Sequence, residues 1–534
     1  MERYDYIIVG AGSAGCVLAD RLSADGRSRV LVLEAGPSDR RLWVQVPLGY
    51  GRTLHDPRIN WCYYSAPEPG LAGRKIYVPR GKVLGGSSSI NALVFVRGQP
   101  EDFEGWAAAG NPGWGWSDVL AAYRALEDHA FGSSEVHGAG GPLRVEDMGP
   151  ALHPATRAFF DAAGELGFPF NADLNGVRQD GVGPYQITAK DGRRMSSARA
   201  FLRPAMRRAN LRVLTGAQAT GIRFDGTRAT GVAYRHRGAV VEAAASREVI
   251  VSAGAISSPQ LLHLSGIGPA ALLRDAGIPV RHDLPAVGEN LQDHLCWDRV
   301  YRARVPTLNN VLHPWHGKAR AALRYALFRS GPLSASVNQA GGFVSTQAGG
   351  GRPDVQLYFC PLTFESMQTG KRHVTQADPQ PGFCLSVSPC RPVSRGRVAI
   401  RSSDPAAAPA IEIGGLTRDE DVTTMLAGAR LLDRLAQTGA MAGIVAEELR
   451  PGAVADDALV DDIRRRAYSI YRPCGTCRMG PDARTDVVDA RLRVHGLEGL
   501  RVADASIFPA MPSGNINAPA IMTGWRGADL IQYG

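Results

Sequence analysis

Gly10, Gly12 and Gly15, with Glu34 about 20 residues further on, carry chemistry in their spacing. Tyr4-Asp5-Tyr6-Ile7-Ile8-Val9 is an apolar run with β-branched residues and reads as a buried strand. Gly10-Ala11-Gly12-Ser13-Ala14-Gly15 follows without a gap, Cys16 to Ser23 reads as a helix, and Arg29 to Leu33 reads as a second strand ending at Glu34. In such a βαβ unit Gly10 permits the tight turn, Gly12 lets a pyrophosphate approach the backbone, and Gly15 lets helix and strand pack closely. Ser13 and Ala14 lie just before the helix, whose free N–H groups and partial positive charge suit an anion. Glu34 is placed to accept a hydrogen bond from an adenosine ribose hydroxyl. An ordinary glycine-rich turn leaves Glu34 unexplained. The pattern indicates a dinucleotide without separating FAD from NAD.

Other stretches carry weaker signals. Small residues dominate Pro79 to Ala92, where Gly85-Gly86-Ser87-Ser88-Ser89 and Asn91 could lay N–H groups and hydroxyls against a flat polar ring. A serine linker would not continue into Ala92-Leu93-Val94-Phe95-Val96. Cys474 and Cys477 form a C-x-x-C outside any thioredoxin-like unit and read as structural. The 12 histidines are dispersed; His313 and His316 are close but have no clustered carboxylate or cysteine beside them, so no metal site is expected.

The elements that must position these residues need more than one core: 534 residues imply two large domains. The chain is 44% hydrophobic and 21% charged, as a globular soluble protein should be. The net charge of +9 comes from scattered basic residues, Arg464-Arg465-Arg466 apart. That pattern favours a solvated surface over nucleic-acid binding and leaves open a basic face near an anionic cofactor or loose contact with a membrane surface. Eight cysteines in so long a chain do not form a disulfide scaffold. With no signal peptide and no apolar run long enough for a transmembrane segment, the expected location is cytoplasmic.

Trp43 to Pro69 reads as irregular chain. Asp102 to Asp128 reads as helix, turn and helix. Leu211–Leu214, Ala219–Phe224 and Gly231–Tyr234 read as strands, and Glu248 to Gly254 as a buried strand leading to a helix that begins near Ser257. Val355–Phe359, Phe383–Val387 and Arg397–Ile400 are strand-like and not βαβ-linked, which suggests an antiparallel sheet, with a helix at Val422 to Gln437. Leu500–Ala503 is a strand ending at Asp504, and a last helix is expected from about Ala520 to Gln532, with Pro519 suited to its first turn.

Gly81 to Gly98, and Gly254-Ala255-Ile256-Ser257-Ser258-Pro259 through Gly268, resemble the two signatures of the glucose–methanol–choline (GMC) family of FAD-dependent oxidoreductases, in its choline and alcohol dehydrogenase-like branch. The resemblance spans essentially the whole chain. It implies an α/β fold: a Rossmann-like FAD-binding domain over residues 1–155, 206–297 and 471–534, and a discontinuous substrate domain over 156–205 and 298–470, built on an antiparallel sheet flanked by helices. By the same resemblance Val83, Gly86, Ser87, Asn91 and Ala92 join Gly10, Gly12, Ser13, Ala14, Gly15 and Glu34 at the cofactor. The backbone near Ala219 contacts the adenine, and Asp504 and Ala505 lie near the diphosphate and ribityl chain. Val287 to His294 resembles the family's return loop, with His294 a hydrogen-bonded structural residue. Gln339, Gln356, Tyr358 and Phe359 are candidates for the substrate pocket, although ordinary sheet packing explains each equally well. Ile90 stands where some relatives bond the flavin through a histidine, so the FAD is expected to be non-covalent.

The family carries its catalytic histidine before a Gly-Thr-Cys stretch, with a histidine or asparagine partner some way downstream. Here Ile470-Tyr471-Arg472-Pro473-Cys474-Gly475-Thr476-Cys477 puts Arg472 in the histidine's place, and Asn517 matches the partner. Arginine stays protonated and accepts no proton, but it stabilises an alkoxide or binds a carboxylate. Base assistance is worth roughly 10²–10⁴-fold. The resemblance therefore implies oxidation of a primary alcohol or other CH–OH donor by hydride transfer to flavin, with Asn517 orienting the hydroxyl. The alternatives are altered chemistry (a lyase, a photodecarboxylase or an enzyme of carboxylate substrates), a catalytically impaired variant, or a displaced loop with Arg472 in solvent. The implied partners are a small-molecule alcohol and an electron acceptor, O2, quinone or another carrier; a homodimer is left open.

Overall fold

The computed structural model describes residues 2–347, 349–364, 376–452 and 455–533. Strand β1 (Glu2–Val9) sits in the middle of the first sheet, with Ile7 and Ile8 fully buried. β2 (Val30–Glu34) lies parallel on one flank, and β3 (Leu211–Thr215) adds parallel beyond it. Every residue of β2 is buried, as expected of a parallel strand covered on both faces. Next in sequence, β4 (Ala217–Asp225) and β5 (Arg228–His236) form an antiparallel hairpin that joins β6 (Ala239–Val251). β6 also runs parallel to β1 along its other edge.

Helix α1 (Ser13–Leu22) follows the glycine-rich turn, and α2 (Gly254–Leu264) follows β6. The second sheet is wholly antiparallel. Its order is β8 (Ala340–Val344), β9 (Val355–Cys360), β10 (Gly382–Pro389), β7 (Leu295–Ala303) and β11 (Val445–Arg450), and β12 (Tyr468–Ser469) pairs with the start of β7. Helix α3 (Trp315–Phe328) lies between β7 and β8 in sequence, and α4 (Asp419–Ala436) packs on β10. Trp297, Leu357, Phe359, Phe383 and Leu385 form the second core with Met425 and Leu432 of α4. The chain then returns to the first sheet as β13 (Leu500–Val502), parallel to the end of β6, and ends in α5 (Asn517–Gln532). α5 packs along α1, where Arg21 pairs with Asp529 at 2.5 Å.

Several elements differ from the sequence reading. Trp43 to Pro69 is not irregular throughout: Tyr63–Glu68 pairs with Arg74–Val78 in an antiparallel hairpin. Arg397–Ala399 stays out of the large sheet and pairs with Ala410–Glu412 alone. The side chains of Met195, Ala198, Phe201 and Leu202 pack into the first core, and β7 begins at Leu295, so residue 297 lies within a strand. α5 begins at Asn517, three residues before Ala520, because Pro519 needs no N–H bond in a first turn.

α2 begins at Gly254 rather than near Ser257, which places Pro259 inside it. Proline cannot donate to the carbonyl four residues back. That carbonyl, of Ala255, instead accepts from the Thr476 hydroxyl at 2.6 Å. The helix is therefore completed by a side chain from the segment that carries Arg472. Thr476→Ala is expected to cost about 1–3 kcal/mol in denaturant unfolding, because a buried carbonyl loses its donor. Adding Pro259→Ala supplies an N–H and should recover most of the loss; a double variant no more stable than Thr476→Ala contradicts this account.

Candidate active site

One cavity runs between the two sheets. At one end it is lined by Gly10, Gly12, Ser13, Ala14 and Glu34, and it continues past Gly86, Ser87, Asn91, Ala92, Ala219, Asp504 and Ala505 to Tyr358, Arg472, Asn515 and Asn517. Gly15 does not line it: a Cβ there would sit 2.0 Å from the Gly10 carbonyl oxygen, so its smallness serves helix–strand packing. No side chain caps Gly12 at the start of α1. The first N–H groups of a helix have no partner within it, so this terminus is left for a ligand. Glu34 accepts from the N–H groups of Ala11 (3.0 Å) and Gly36 (2.8 Å), and burial pushes its pKa up to about 7.

Gly86 rests on the glycine turn: a Cβ there would lie 2.7 Å from the Gly12 Cα. The serine run does not present all its hydroxyls to the cavity. Ser88 and Ser89 are buried and donate to the carbonyls of Gly85 and Leu84, while Ser87 lines the cavity. Val83 packs with Val44, Ile59 and Ile90 in a small apolar cluster. Asp504 accepts from the Gly254 N–H at 2.8 Å and the Ser258 hydroxyl at 2.6 Å, so its carboxylate also caps α2.

Arg472 is 5% exposed, which excludes the solvent-facing loop. Residues 288–294 form its bed. Gln292 and Cys474 exchange backbone bonds, the Gly288 N–H donates to the Thr476 carbonyl, and the Ile470 N–H donates to the His294 carbonyl. The Asp293 carboxylate accepts from the Arg472 N–H at 2.8 Å and from the Ser469 hydroxyl, and burial raises its pKa to about 6. Between these anchors Tyr471 adopts φ +68°, a region costly for a residue with a Cβ.

The guanidinium has neutral partners. Its Nη1 donates to Gln356 Oε1 (3.0 Å) and to His294 Nδ1 (3.1 Å), and its Nη2 donates to the Tyr358 hydroxyl (2.8 Å). His294 donates from Nε2 to the Cys390 carbonyl at 2.8 Å; burial, and then the charge of Arg472, push its pKa down to about 3. Both ring nitrogens are hydrogen-bonded, as expected of a structural residue. Gln356 and Tyr358 belong to this network, whereas Phe359 packs in the second core and Gln339, outside the cavity lining, accepts from the His153 N–H.

Asn515 and Asn517 both line the cavity, with different partners. Asn517, the first residue of α5, accepts at Oδ1 from the Ser13 hydroxyl at 2.8 Å, which ties the N-termini of α1 and α5 together. Asn515 accepts from Gln356 Nε2 at 3.2 Å and so joins the Arg472 network. Sequence reasoning missed Asn515 and Gln356's bridging role; the second asparagine of the Asn515-Ile516-Asn517 stretch was the available signal. Cys474 and Cys477 are fully buried and burial raises both thiols, which suits packing rather than redox exchange.

The dispersed histidines also need correction. His129, His137 and Asp173 converge away from the cavity lining. Although burial opposes its charge, bonds to Asp173 (2.7 Å) and Glu127 (3.2 Å) raise the His137 pKa, and His129 accepts at Nδ1 from the Phe131 N–H. His137 thus lies beside the Arg97–Glu127 ion pair and stacks on His129.

The cavity fits FAD. An uncapped helix terminus and a cradle of small residues are suited to a diphosphate, Glu34 lies at the same end of the cavity, and the uncapped start of α5 opens into the same space. The GMC oxidoreductase profile matches in two parts, residues 4–296 and 392–524. The chain is 43% identical to alcohol dehydrogenase (acceptor) of Pseudomonas putida, covering 99% of this chain and 95% of that one. It is 42% identical to mitochondrial choline dehydrogenase of Homo sapiens, covering 99% and 90%. Pyridoxine 4-oxidase from Mesorbium loti has the same fold, with TM-score 0.90 at 31% identity over 99% of both chains. A formate oxidase variant of Aspergillus oryzae, studied for its FAD modification, gives TM-score 0.92 at 26% identity over 99% and 98%.

The depressed pKa of His294 sets an acid limit. The unfolded chain protonates this group below its ordinary 6.5, whereas the folded protein holds it neutral down to about 3. Its contribution to stability is complete above pH 6.5 and is lost as pH falls through that window, at up to about 1.4 kcal/mol per unit. Urea unfolding at stepped pH should show a shallower acid slope for His294→Gln than for the parent; equal slopes would contradict a buried neutral imidazole.

Proposed function

Because the chain belongs to the GMC oxidoreductase family, we propose that it oxidises a primary alcohol or related CH–OH donor, with Arg472 facing the reacting oxygen. The supporting observation is a single cavity that joins the Glu34 and Gly12 end to Arg472 and Asn515. FAD, when bound, supplies a two-electron acceptor for the carbinol hydride. The half that would hold it follows the expected 1–155, 206–297 and 471–534, with 156–205 and 298–470 as the substrate side, except that Met195–Leu202 pack with the first half and the second sheet begins at Leu295.

Arg472 takes no proton. Among the described residues its Nε–H has no protein partner, and the side chain lines the cavity. It therefore donates to a substrate oxygen and stabilises the alkoxide formed when the hydroxyl proton passes to solvent, while the hydride goes to the flavin. Gln356 and Tyr358 hold the guanidinium plane, and Asn515, reached through Gln356, orients the hydroxyl. Asn517 sets the start of α5, whose partial positive charge faces the same space. Buried Ile90 lines the cavity and offers no nucleophile, so FAD is held without a covalent bond.

A second reading rests on the same guanidinium. No carboxylate of the described residues forms an ion pair with it, so a substrate carboxylate is a natural partner. Anaerobic mixing with alcohols and with hydroxy acids separates the two: flavin bleaching by simple alcohols supports alkoxide stabilisation, and bleaching by hydroxy acids alone supports carboxylate binding. No bleaching by either overturns both.

Two outcomes follow for variants and cofactor. Arg472→His should speed reduction by simple alcohols roughly 10²–10⁴-fold and introduce an acid limb near pH 6.5 that the parent lacks; unchanged rates would contradict the missing-base argument. Acid precipitation should release free flavin into the supernatant, and yellow colour retained by the pellet would contradict a non-covalent cofactor.

A further inference from the structure

Helix α3 turns most of its apolar surface outward. Only Gly317, Ala321 and Tyr325 are buried, a narrow stripe at four-residue spacing. Trp315 is 80% exposed, Leu323 60%, Leu327 64% and Phe328 72%. With about 3.6 residues per turn, Trp315, Ala319, Ala322, Leu323 and Ala326 share one outward face. Lys318 flanks it on one side, and Arg320 and Arg324 on the other.

The charge on this helix has one sign. From Trp315 to Arg329 there is no acidic residue, against Lys318, Arg320, Arg324 and Arg329; His316 lies on the outward face between Leu323 and Leu327. Arg324 donates to the Ser330 hydroxyl and Arg329 lies over the Tyr325 ring, so neither cation is neutralised. The surface continues toward the cavity. The turn Pro332–Ser334 touches both α3 and the turn Pro47–Gly49, which packs against Leu42–Gln45; Leu42 is 66% exposed. Val337 and Asn338, just after the first turn, and Tyr50, just after the second, line the cavity.

We propose that α3, with Leu42 and Trp43 beside it, docks the protein on an anionic phospholipid bilayer, lying in the interface plane. An outward apolar stripe with aromatic and leucine side chains, edged by cations only, is the composition that such a surface binds. A second copy of the chain fits poorly, because a two-fold contact would set Lys318, Arg320 and Arg324 against their own counterparts. No described helix is long and apolar enough to cross a membrane, so docking would be peripheral. This inference does not depend on the substrate.

Flotation of the FAD-loaded protein with vesicles tests it. Vesicles of phosphatidylcholine mixed with phosphatidylglycerol should carry the protein, and phosphatidylcholine alone should carry far less. Lys318→Glu with Arg320→Glu should lower partitioning by roughly fivefold or more per residue changed. Leu323→Glu with Leu327→Glu should abolish it. Flavin absorbance and melting temperature should stay at parent values in both variants, since these side chains are exposed. Binding indifferent to lipid charge or to both variants overturns the proposal, as does a dimer in solution that the leucine variant dissolves.

Discussion

A guanidinium removed from water with no ion pair among the described residues is the constraint around which the centre of this molecule is arranged. Such a cation is tolerated only where other groups replace its hydration. Around Arg472 they are a glutamine carbonyl, a phenol oxygen and an imidazole nitrogen. Each must be an acceptor, which fixes its own remaining bond: His294 donates to Cys390, the Tyr358 hydroxyl donates to Gln356, and Gln356 turns its amide to Asn515 and Tyr185. The network thus reaches from the second sheet to the approach of α5. Asp293 takes the backbone rather than the guanidinium, so its charge shapes the loop and leaves the cation facing the cavity.

The loop and the nucleotide-binding half are mechanically one piece. Thr476 completes α2, Asp504 caps the same helix, and residues 288–294 pair along 470–476. The Ser13–Asn517 bond closes the other side, where a Cβ on Gly524 would meet the Ala14 carbonyl oxygen at 2.6 Å. The glycine turn is therefore coupled to α5 by the Ser13–Asn517 side-chain bond at its start and by the backbone-close contact at Gly524.

Much of the nucleotide half was legible because its signals are local. Ile7-Ile8-Val9, the glycines and Glu34 lie within one stretch, and the parallel strands read as apolar runs. The helix starts at Gly254 and Asn517 were misread because their unusual residues, Pro259 and Pro519, are tolerated for reasons supplied elsewhere in the chain or by first-turn geometry. Ser88 and Ser89 were assigned to the cavity on composition, yet buried hydroxyls went to nearby carbonyls. At the reactive end the position of Arg472 was legible through family resemblance, but its partners were not. His294, Gln356 and Tyr358 lie more than a hundred residues away in sequence and meet it only when the second sheet folds over the first. The choice between Asn515 and Asn517 depends on which way each amide turns at a helix start, and spacing carries no information about that.

Both α1 and α5 begin without side-chain caps, at a junction where their like-signed ends are held together. Bringing two such termini side by side raises the energy of the empty protein, and an anionic ligand between them relieves it. Whatever binds only the native state adds to stability by mass action. A ligand shared by these two helix starts therefore stabilises both at once, so the first and last helices of the nucleotide half should gain stability as one unit.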